Sequence, residues 1–273
     1  MIILAATPIG NLGDASRRLI EVLENATVVA AEDTRTTAHL LKALHIANRP
    51  RLIALHDHNE KHKAAEIVAL ATDEDVVVVS DAGMPAVSDP GYGLVAEAVA
   101  QGVTVTAIPG PSAVIMALAI SGMPTDRFTF EGFLPRKPGD RRRELQALAA
   151  ESRTMIFFES PSRLASSLAD MGAVFGDDRR IAVCRELTKM YEEVRRGTAS
   201  ELASWAEGGV KGEIVVVVEG ATPVVASAED AGVQVQALVE GGVRLKDACA
   251  EVAAATGLSS RDLYQQALAS RKR

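Results

Sequence analysis

Four segments of the chain concentrate glycine, proline, small polar and acidic residues directly after short β-branched runs. They are Thr7-Pro8-Ile9-Gly10-Asn11-Leu12-Gly13-Asp14, then Glu32-Asp33-Thr34-Arg35, the stretch 80–91 from Ser80-Asp81-Ala82-Gly83 through Val87-Ser88-Asp89-Pro90-Gly91, and Pro109-Gly110-Pro111-Ser112. Small residues let a ligand approach the backbone closely, and proline fixes loop shape without adding a donor. One such loop is ordinary turn chemistry; four following successive strands predict a binding cleft beyond the carboxyl ends of a parallel sheet. A second concentration is cationic: Arg136, Lys137, Arg141, Arg142 and Arg143 fall within eight positions, opposed only by Asp140, and Arg271-Lys272-Arg273 closes the sequence. Beside a Pro/Gly loop, the first strip has the make-up of a local phosphate-contact site or of a solvated helix start.

Several other motifs fail. Gly91-Tyr92-Gly93-Leu94-Val95-Ala96 matches G-x-G-x-x-A, but it follows Asp89-Pro90 and has no acidic residue about 20 positions on, so a dinucleotide fingerprint is not expected. There is no P-loop and no G-x-S-x-G elbow. His56-Asp57-His58-Asn59-Glu60-Lys61-His62 places His58 and His62 at i, i+4, yet the lysine and the missing fourth ligand favour a strand-to-helix loop over a metal site.

The elements that must position these loops alternate regularly. Strands are expected at 2–6, 28–31, 52–55, 76–79 and 103–108, with helices near 16–24, 36–44, 61–71, 94–100 and 112–121. That is the pattern of a parallel, helix-covered sheet. Val76-Val77-Val78-Val79 suits a strand buried on both faces. A strand at 128–133 leads into Leu134-Pro135-Arg136-Lys137-Pro138-Gly139-Asp140, which reads as a connector or mobile loop. A second set follows: strands 154–158, 180–185, 191–196 and 213–219, and helices 163–175 and 200–206. The tail offers a helix over 246–257 closed by Gly257 and another capped by Ser259 or Ser260, the outline of a helix-turn-helix or of a helical hairpin packed on the body. The expected domains are 1–125, 126–220 and 221–273.

The whole chain has 273 residues and a net charge of −7, with 48% hydrophobic and 24% charged residues. A basic coat for indiscriminate nucleic-acid binding is excluded, as is disorder as the main state. Cys184 and Cys249 form no C-x-x-C pair, which argues against a disulfide scaffold or structural zinc and for a reducing cytoplasm. The uncharged stretch 101–125 is broken by Pro109-Gly110-Pro111 and is too short to span a bilayer; no basic region precedes Ile2-Ile3-Leu4, so no secretory signal is expected.

The loops together resemble a known family. Residues 6–14, Ala31-Glu32-Asp33-Thr34-Arg35, His58-Asn59-Glu60, Ser80-Asp81-Ala82-Gly83-Met84-Pro85, Ser88-Asp89-Pro90-Gly91-Tyr92, Ile108-Pro109-Gly110-Pro111-Ser112-Ala113, residues 130–137, Glu159-Ser160-Pro161 and Arg185-Glu186-Leu187-Thr188-Lys189 are similar, in order, to the ribosomal RNA small subunit methyltransferase I family. The likeness runs through residues 2–220, and the tail resembles that family's helix-turn-helix. It implies an α/β, two-domain tetrapyrrole-methylase-like fold: a mainly parallel N-terminal sheet, a second α/β domain and a small helical tail. It further implies a cytoplasmic homodimer holding S-adenosylmethionine between the domains and methylating a cytidine ribose 2′-oxygen in the decoding region of 16S rRNA. No metal is implied. Met84 and Ala86 depart from the family pattern, where Thr and Gly are common.

Carried over by position, the cofactor contacts are Pro8, Asp81, Ala82, Gly83, Val87, Ser88, Ser112 and Ala113, with Phe158, Leu187 and Glu213 from the second domain. Methyl transfer to a hydroxyl needs in-line positioning and an acceptor for the hydroxyl proton. Glu32, Asp33 and Lys189 are the catalytic candidates, with helix capping or pairing to Arg35 the structural alternative for Asp33. Arg136, Lys137, Arg141, Arg142 and Arg143 are the candidate RNA contacts, the partner being 16S rRNA or the 30S subunit. Two other readings stay open: a tetrapyrrole carbon methyltransferase of the same fold, and a noncatalytic ribosome-assembly factor. The basic strip and the helical tail favour RNA over a compact macrocycle.

Overall fold

The computed structural model describes residues 1–56, 59–222 and 228–270. Two compact units divide it, Met1–Ala221 and Thr222–Arg273.

The first unit begins with five parallel strands, β1 (Ile2–Ala5), β2 (Val28–Ala31), β3 (Arg51–Ala54), β4 (Val76–Val79) and β5 (Val105–Ile108), in the order β3-β2-β4-β1-β5. Helices α1 (Arg17–Asn25), α2 (Thr34–Ala43), α3 (Glu60–Asp73), α4 (Tyr92–Ala100) and α5 (Ala113–Ser121) connect and follow them. Apolar clusters cover both faces, Leu19, Leu23 and Leu41 on one and Ile67, Val68 and Leu94 on the other. The central strands are accordingly apolar along their whole length, and every residue of β2 and β4 is buried.

The second sheet is mixed: β6 (Phe128–Phe133), β7 (Thr154–Glu159), β10 (Ile214–Val218), β8 (Ile181–Arg185) and β9 (Glu193–Gly197), in that spatial order. Only β6 and β7 run parallel; the other neighbours are antiparallel. Helices α6 (Pro138–Ala147), α7 (Leu164–Phe175) and α8 (Ala199–Glu207) cover one face. The other face receives α5. Its Val114, Ala117 and Leu118 share one core with Ile156, Cys184 and Val217 of the second sheet and Ile9 of the first loop. The helix is apolar all round, Ala-Val-Ile-Met-Ala-Leu-Ala-Ile, yet only this face is buried: Ile115 and Ala119 stay exposed, with Ile115 on the wall of the cavity described below. Ser112 caps α5 and Gly122, with φ +81°, ends it, as its sequence signals require.

Two expectations need correction. Residues 134–140 are not a mobile loop throughout: α6 starts at Pro138, the first-turn position where a missing N–H is harmless. The tail, the second unit, carries an additional helix: α9 (Ala228–Glu240), α10 (Leu245–Thr256) and α11 (Ser260–Ser270) bury Ala231, Val235, Cys249, Val252 and Leu263 together. Ser259, rather than Ser260, accepts the Asp262 N–H at the start of α11. Arg271, Lys272, Arg273, Asp57 and His58 lie outside the described residues. Among the described residues, no helix is long and apolar enough to cross a membrane, and no His, Cys, Asp and Glu group could hold a metal ion.

Candidate functional site

Strands β4, β1 and β5 are neighbours, so the loops at their carboxyl ends open side by side. Together they form the floor of a cavity of about 720 Å³, using Ile9, Ala82, Gly83, Met84, Val87, Ser88, Asp89, Gly110, Ser112 and Ala113. The first two loops are locked together by reciprocal backbone bonds, Thr7 N–H to Gly83 O at 2.9 Å and Gly83 N–H to Thr7 O at 3.2 Å. The Glu60 carboxylate at the start of α3 accepts the N–H groups of Gly91, Gly93 and Leu94 at 2.8–3.2 Å, closing the far end of loop 80–91. It occupies the N-terminus of α4, where a negative charge is favoured. Within this loop Ala86 and Ser88 take φ +68° and +61°, a conformation that non-glycine residues hold only when their surroundings enforce it.

The opposite wall comes from the second sheet: Phe128, Phe130 and Phe133 of β6, residues 158–161 at the end of β7, Leu187, and residues 212–215 at the start of β10. Phe158 packs edge-on against Phe130 at 4.9 Å between centroids and tilted against Phe133 at 5.5 Å. The two sides meet where Asn11 N–H donates to Thr188 Oγ1 at 3.1 Å and where Gly10 lies against the Lys189 stem. A Cβ on Gly10 would fall 2.5 Å from Lys189 Cγ, so this contact demands glycine.

Of the residues expected to hold a cofactor, Ala82, Gly83, Val87, Ser88, Ser112, Ala113, Phe158, Leu187 and Glu213 stand on the cavity wall. Pro8 and Asp81 do not: Pro8 is buried away from the wall, and Asp81 is hydrogen-bonded to the neighbouring β2 loop. The three phenylalanines of β6 stand on this wall too; the sequence places Phe130 and Phe133 in a family-like segment but gives none of the three a site role. Their signal was present, since three of only six phenylalanines in the chain fall within 128–133.

The catalytic candidates form two groups, and none lines the cavity. Strand β2 flanks β4 on the side away from β1, so Glu32 and Asp33 reach only the rim. There, Asp81 N–H donates to Glu32 Oε2 at 3.2 Å, and Asp33 N–H donates to Asp81 Oδ1 at 3.3 Å. Asp33 caps α2 and is paired with Arg35 at 2.7 Å; hydrogen bonds from the Arg35 guanidinium and backbone N–H lower its carboxyl to about 2. Desolvation raises the Asp81 carboxyl, against the hydrogen bond it accepts from Asp33. Across the cleft, Lys189 pairs with Glu186 at 2.8 Å and Glu213 at 3.2 Å. Burial disfavours its charge, but these carboxylates outweigh burial and raise its pKa. Lys189 is therefore an ammonium at neutral pH, a positive group facing the rim rather than a base.

The basic strip divides. Arg141 is only 4% exposed, and its guanidinium meets Asp170 Oδ2 at 2.6 Å. It faces inward between α6 and α7 and cannot reach a phosphate, a correction to its expected RNA role: helical periodicity turns one of three successive arginines into the core. Arg142 shares Asp170 through Oδ1 but stays largely exposed, and Arg143 pairs with Asp140 on the surface. Arg136 and Lys137 are exposed and form no ion pair with any described residue.

The geometry defines a class: a two-lobed α/β protein with an apolar, backbone-rich ligand cavity between a parallel and a mixed sheet. The Tetrapyrrole (Corrin/Porphyrin) Methylases family matches residues 1–203, and the RsmI C-terminal HTH domain family matches residues 225–271. Among solved structures, the methyltransferase CobJ superposes with a TM-score of 0.61 at 20% identity, covering 81% of this chain and 94% of its own. A uroporphyrin-III C-methyl transferase from Thermus thermophilus complexed with S-adenyl homocysteine gives 0.55 at 18%, covering 80% and 96%. These likenesses establish the fold. Nearer relatives are proteins named ribosomal RNA small subunit methyltransferase I: that of Mycobacterium tuberculosis (strain CDC 1551 / Oshkosh) is 52% identical over 99% of this chain and 95% of its own length. That of Escherichia coli O157:H7 is 43% identical over 97% and 93%. The chain belongs to the ribosomal RNA small subunit methyltransferase I family.

Proposed function

We propose that this protein is an S-adenosylmethionine-dependent methyltransferase acting on a cytidine ribose 2′-hydroxyl in the decoding region of 16S rRNA. The observation that carries the reading is the cavity itself. Its volume falls within the roughly 300–1,000 Å³ of small-molecule sites, and it lies at the carboxyl ends of β4, β1 and β5. The groups present fit a nucleoside-like cofactor. Gly83, Gly110 and Gly212 bring bare backbone to the wall, and Ser88, Ser112 and Glu213 add polar groups at its edge. At Gly110 the packing is tight enough that a Cβ would lie 2.9 Å from Ala6 Cβ. The relatives' shared name supports ribosomal RNA as substrate, and the S-adenyl homocysteine complex of the Thermus thermophilus neighbour supports the cofactor.

S-adenosylmethionine supplies an electrophilic sulfonium methyl group whose departure leaves a neutral thioether. Transfer of that methyl group to a ribose oxygen, with S-adenosylhomocysteine as the leaving product, would require the chain to accept the hydroxyl proton. The chain's main contribution is positioning, which the locked loops 7–11 and 80–91 provide. Among the candidates, Glu32 is assigned as proton acceptor: Asp33 is too acidic to take a proton, and Lys189 already carries one. Lys189 instead holds positive charge at the rim. Arg136, Lys137, Arg142 and Arg143 contact phosphate. The working form is a cytoplasmic homodimer, as the family resemblance implies, with sedimentation equilibrium as its check.

The test incubates the protein and labelled S-adenosylmethionine with 30S subunits, naked 16S rRNA and uroporphyrinogen in parallel. Label at a 2′-oxygen of 16S rRNA supports the reading. Label in the tetrapyrrole, or none anywhere, refutes it.

A further inference from the structure

Strand β6 carries an irregularity that places a side chain. It pairs with β7 in register from Phe128 to Phe130, skips Glu131, and resumes with Gly132 opposite Phe157 and Phe133 opposite Phe158. In an unbroken strand, Phe128 and Phe130 share one face and Phe133 points to the other. The bulge shifts the alternation by one residue, so all three rings face the cavity. Gly132 absorbs the distortion with φ +68°, and a Cβ there would lie 3.9 Å from Ser88 Oγ across the cleft. A bulge that turns an aromatic ring toward a ligand cavity needs an explanation beyond packing, because this ring is poorly packed. Phe133 remains 57% exposed, more than Phe128 at 38%, while Phe130 and Phe158 are half-buried beneath it.

We propose that Phe133, turned onto the cavity wall by the bulge at Glu131–Gly132, stacks against the base of the target nucleotide and so presents its ribose to the cavity. The proposal rests on the methyltransferase reading above and names the residue that recognises the acceptor. Two features favour a nucleobase over the adenine of the cofactor. Phe133 is the most exposed ring of the aromatic wall, where an acceptor must enter, whereas Phe130 and Phe158 are half-buried. Arg136 and Lys137 follow three and four residues later, within about 15 Å of chain. Both are exposed cations suited to phosphates flanking a stacked base, and S-adenosylmethionine has no phosphate. Aromatic stacking is a common means by which proteins hold an unstacked RNA base.

The experiment compares the unsubstituted protein, Phe133→Ala and Phe133→Trp on 30S subunits, and measures S-adenosylhomocysteine binding by calorimetry. Phe133→Ala should lower kcat/KM for the subunit by about 5- to 100-fold, the range of one base–aromatic contact, and leave the S-adenosylhomocysteine Kd within about twofold. Phe133→Trp should restore most of the loss. On subunits reconstituted with 16S rRNA lacking the base at the target nucleotide, the unsubstituted protein and Phe133→Ala should methylate at equal rates, a result that a merely structural role does not produce. A tenfold or greater loss of S-adenosylhomocysteine affinity in Phe133→Ala, or a kcat/KM indifferent to position 133, overturns this inference alone. Absence of RNA labelling by the unsubstituted protein overturns the proposed function and this inference with it.

Discussion

The Asp170 carboxylate holds two guanidiniums at once, and replacing it separates structural from RNA-binding arginines. Arg141 donates through Nε and Nη2 to Oδ2, both at 2.6 Å, and Arg142 through Nε to Oδ1 at 2.6 Å. The Arg141 and Asp170 side chains are 4% and 5% exposed. Asp170→Ala strands the Arg141 charge in the interior, which costs about 3–5 kcal/mol. In a unit of this size each kcal/mol lowers Tm by about 2–4 °C, so the fall should be roughly 6–20 °C. Arg141→Ala should cost less, because Arg142 still partners the carboxylate, and Arg142→Ala least, because its own side chain is 64% exposed.

The same cluster gives a pH dependence. Desolvation opposes the Asp170 charge, but the hydrogen bonds from Arg142 and Arg141 prevail and lower its folded-state pKa. The stabilisation is therefore fully present above the unfolded value near about 3.9 and is lost as pH falls through the lower folded value. Asp170→Ala should flatten the acid limb of the Tm profile. Differential scanning calorimetry across pH 2–7 measures both effects, and RNA binding against salt concentration supplies the contrast. Arg136→Ala/Lys137→Ala should reduce the salt slope by about 1–2, whereas Arg141→Ala should leave it unchanged in the folded protein. A changed slope for Arg141→Ala with Tm within about 2 °C of the unsubstituted protein would refute the assignment of Arg141 to the interior.

Glu32→Gln should lower kcat by at least about 100-fold, the usual weight of a general base, while Asp33→Asn should leave the shape of the pH–rate profile between pH 5 and 9 unchanged, since its carboxyl titrates near 2. A larger loss in Asp33→Asn than in Glu32→Gln contradicts the assignment. Gly110→Ala should weaken S-adenosylhomocysteine binding by at least about tenfold in calorimetry, because its Cβ would lie 2.9 Å from Ala6 Cβ and 3.2 Å from Ala6 O; affinity within twofold would contradict the close approach. Ala86→Gly should raise Tm by about 2–4 °C, relieving a left-handed φ of +68°. An unchanged or lower Tm argues that the loop does not strain Ala86.

Local chemistry in the sequence was enough to specify the elements that carry the loops. Val76-Val77-Val78-Val79 admits only a strand covered on both faces, Ser112 and Gly122 delimit a helix whatever surrounds it, and the Gly, Pro and acidic residues after β1, β4 and β5 mark a ligand edge. Strand neighbourhood lay beyond reach, because pairing partners are chosen by long-range packing rather than by local pattern. Placing β2 on the far side of β4 is what moves Glu32 and Asp33 from the cavity to its rim. Three successive arginines look alike in sequence, yet the turn of α6 buries Arg141 against Asp170 of α7, a residue 29 positions away. The bulge in β6 is likewise a tertiary decision: Phe-Thr-Phe-Glu-Gly-Phe reads as a strand in either register, and only pairing with β7 across a skipped Glu131 turns Phe133 into the cleft. Composition and spacing determined which residues could do chemistry; the folding of one lobe against the other decided which of them face the same space.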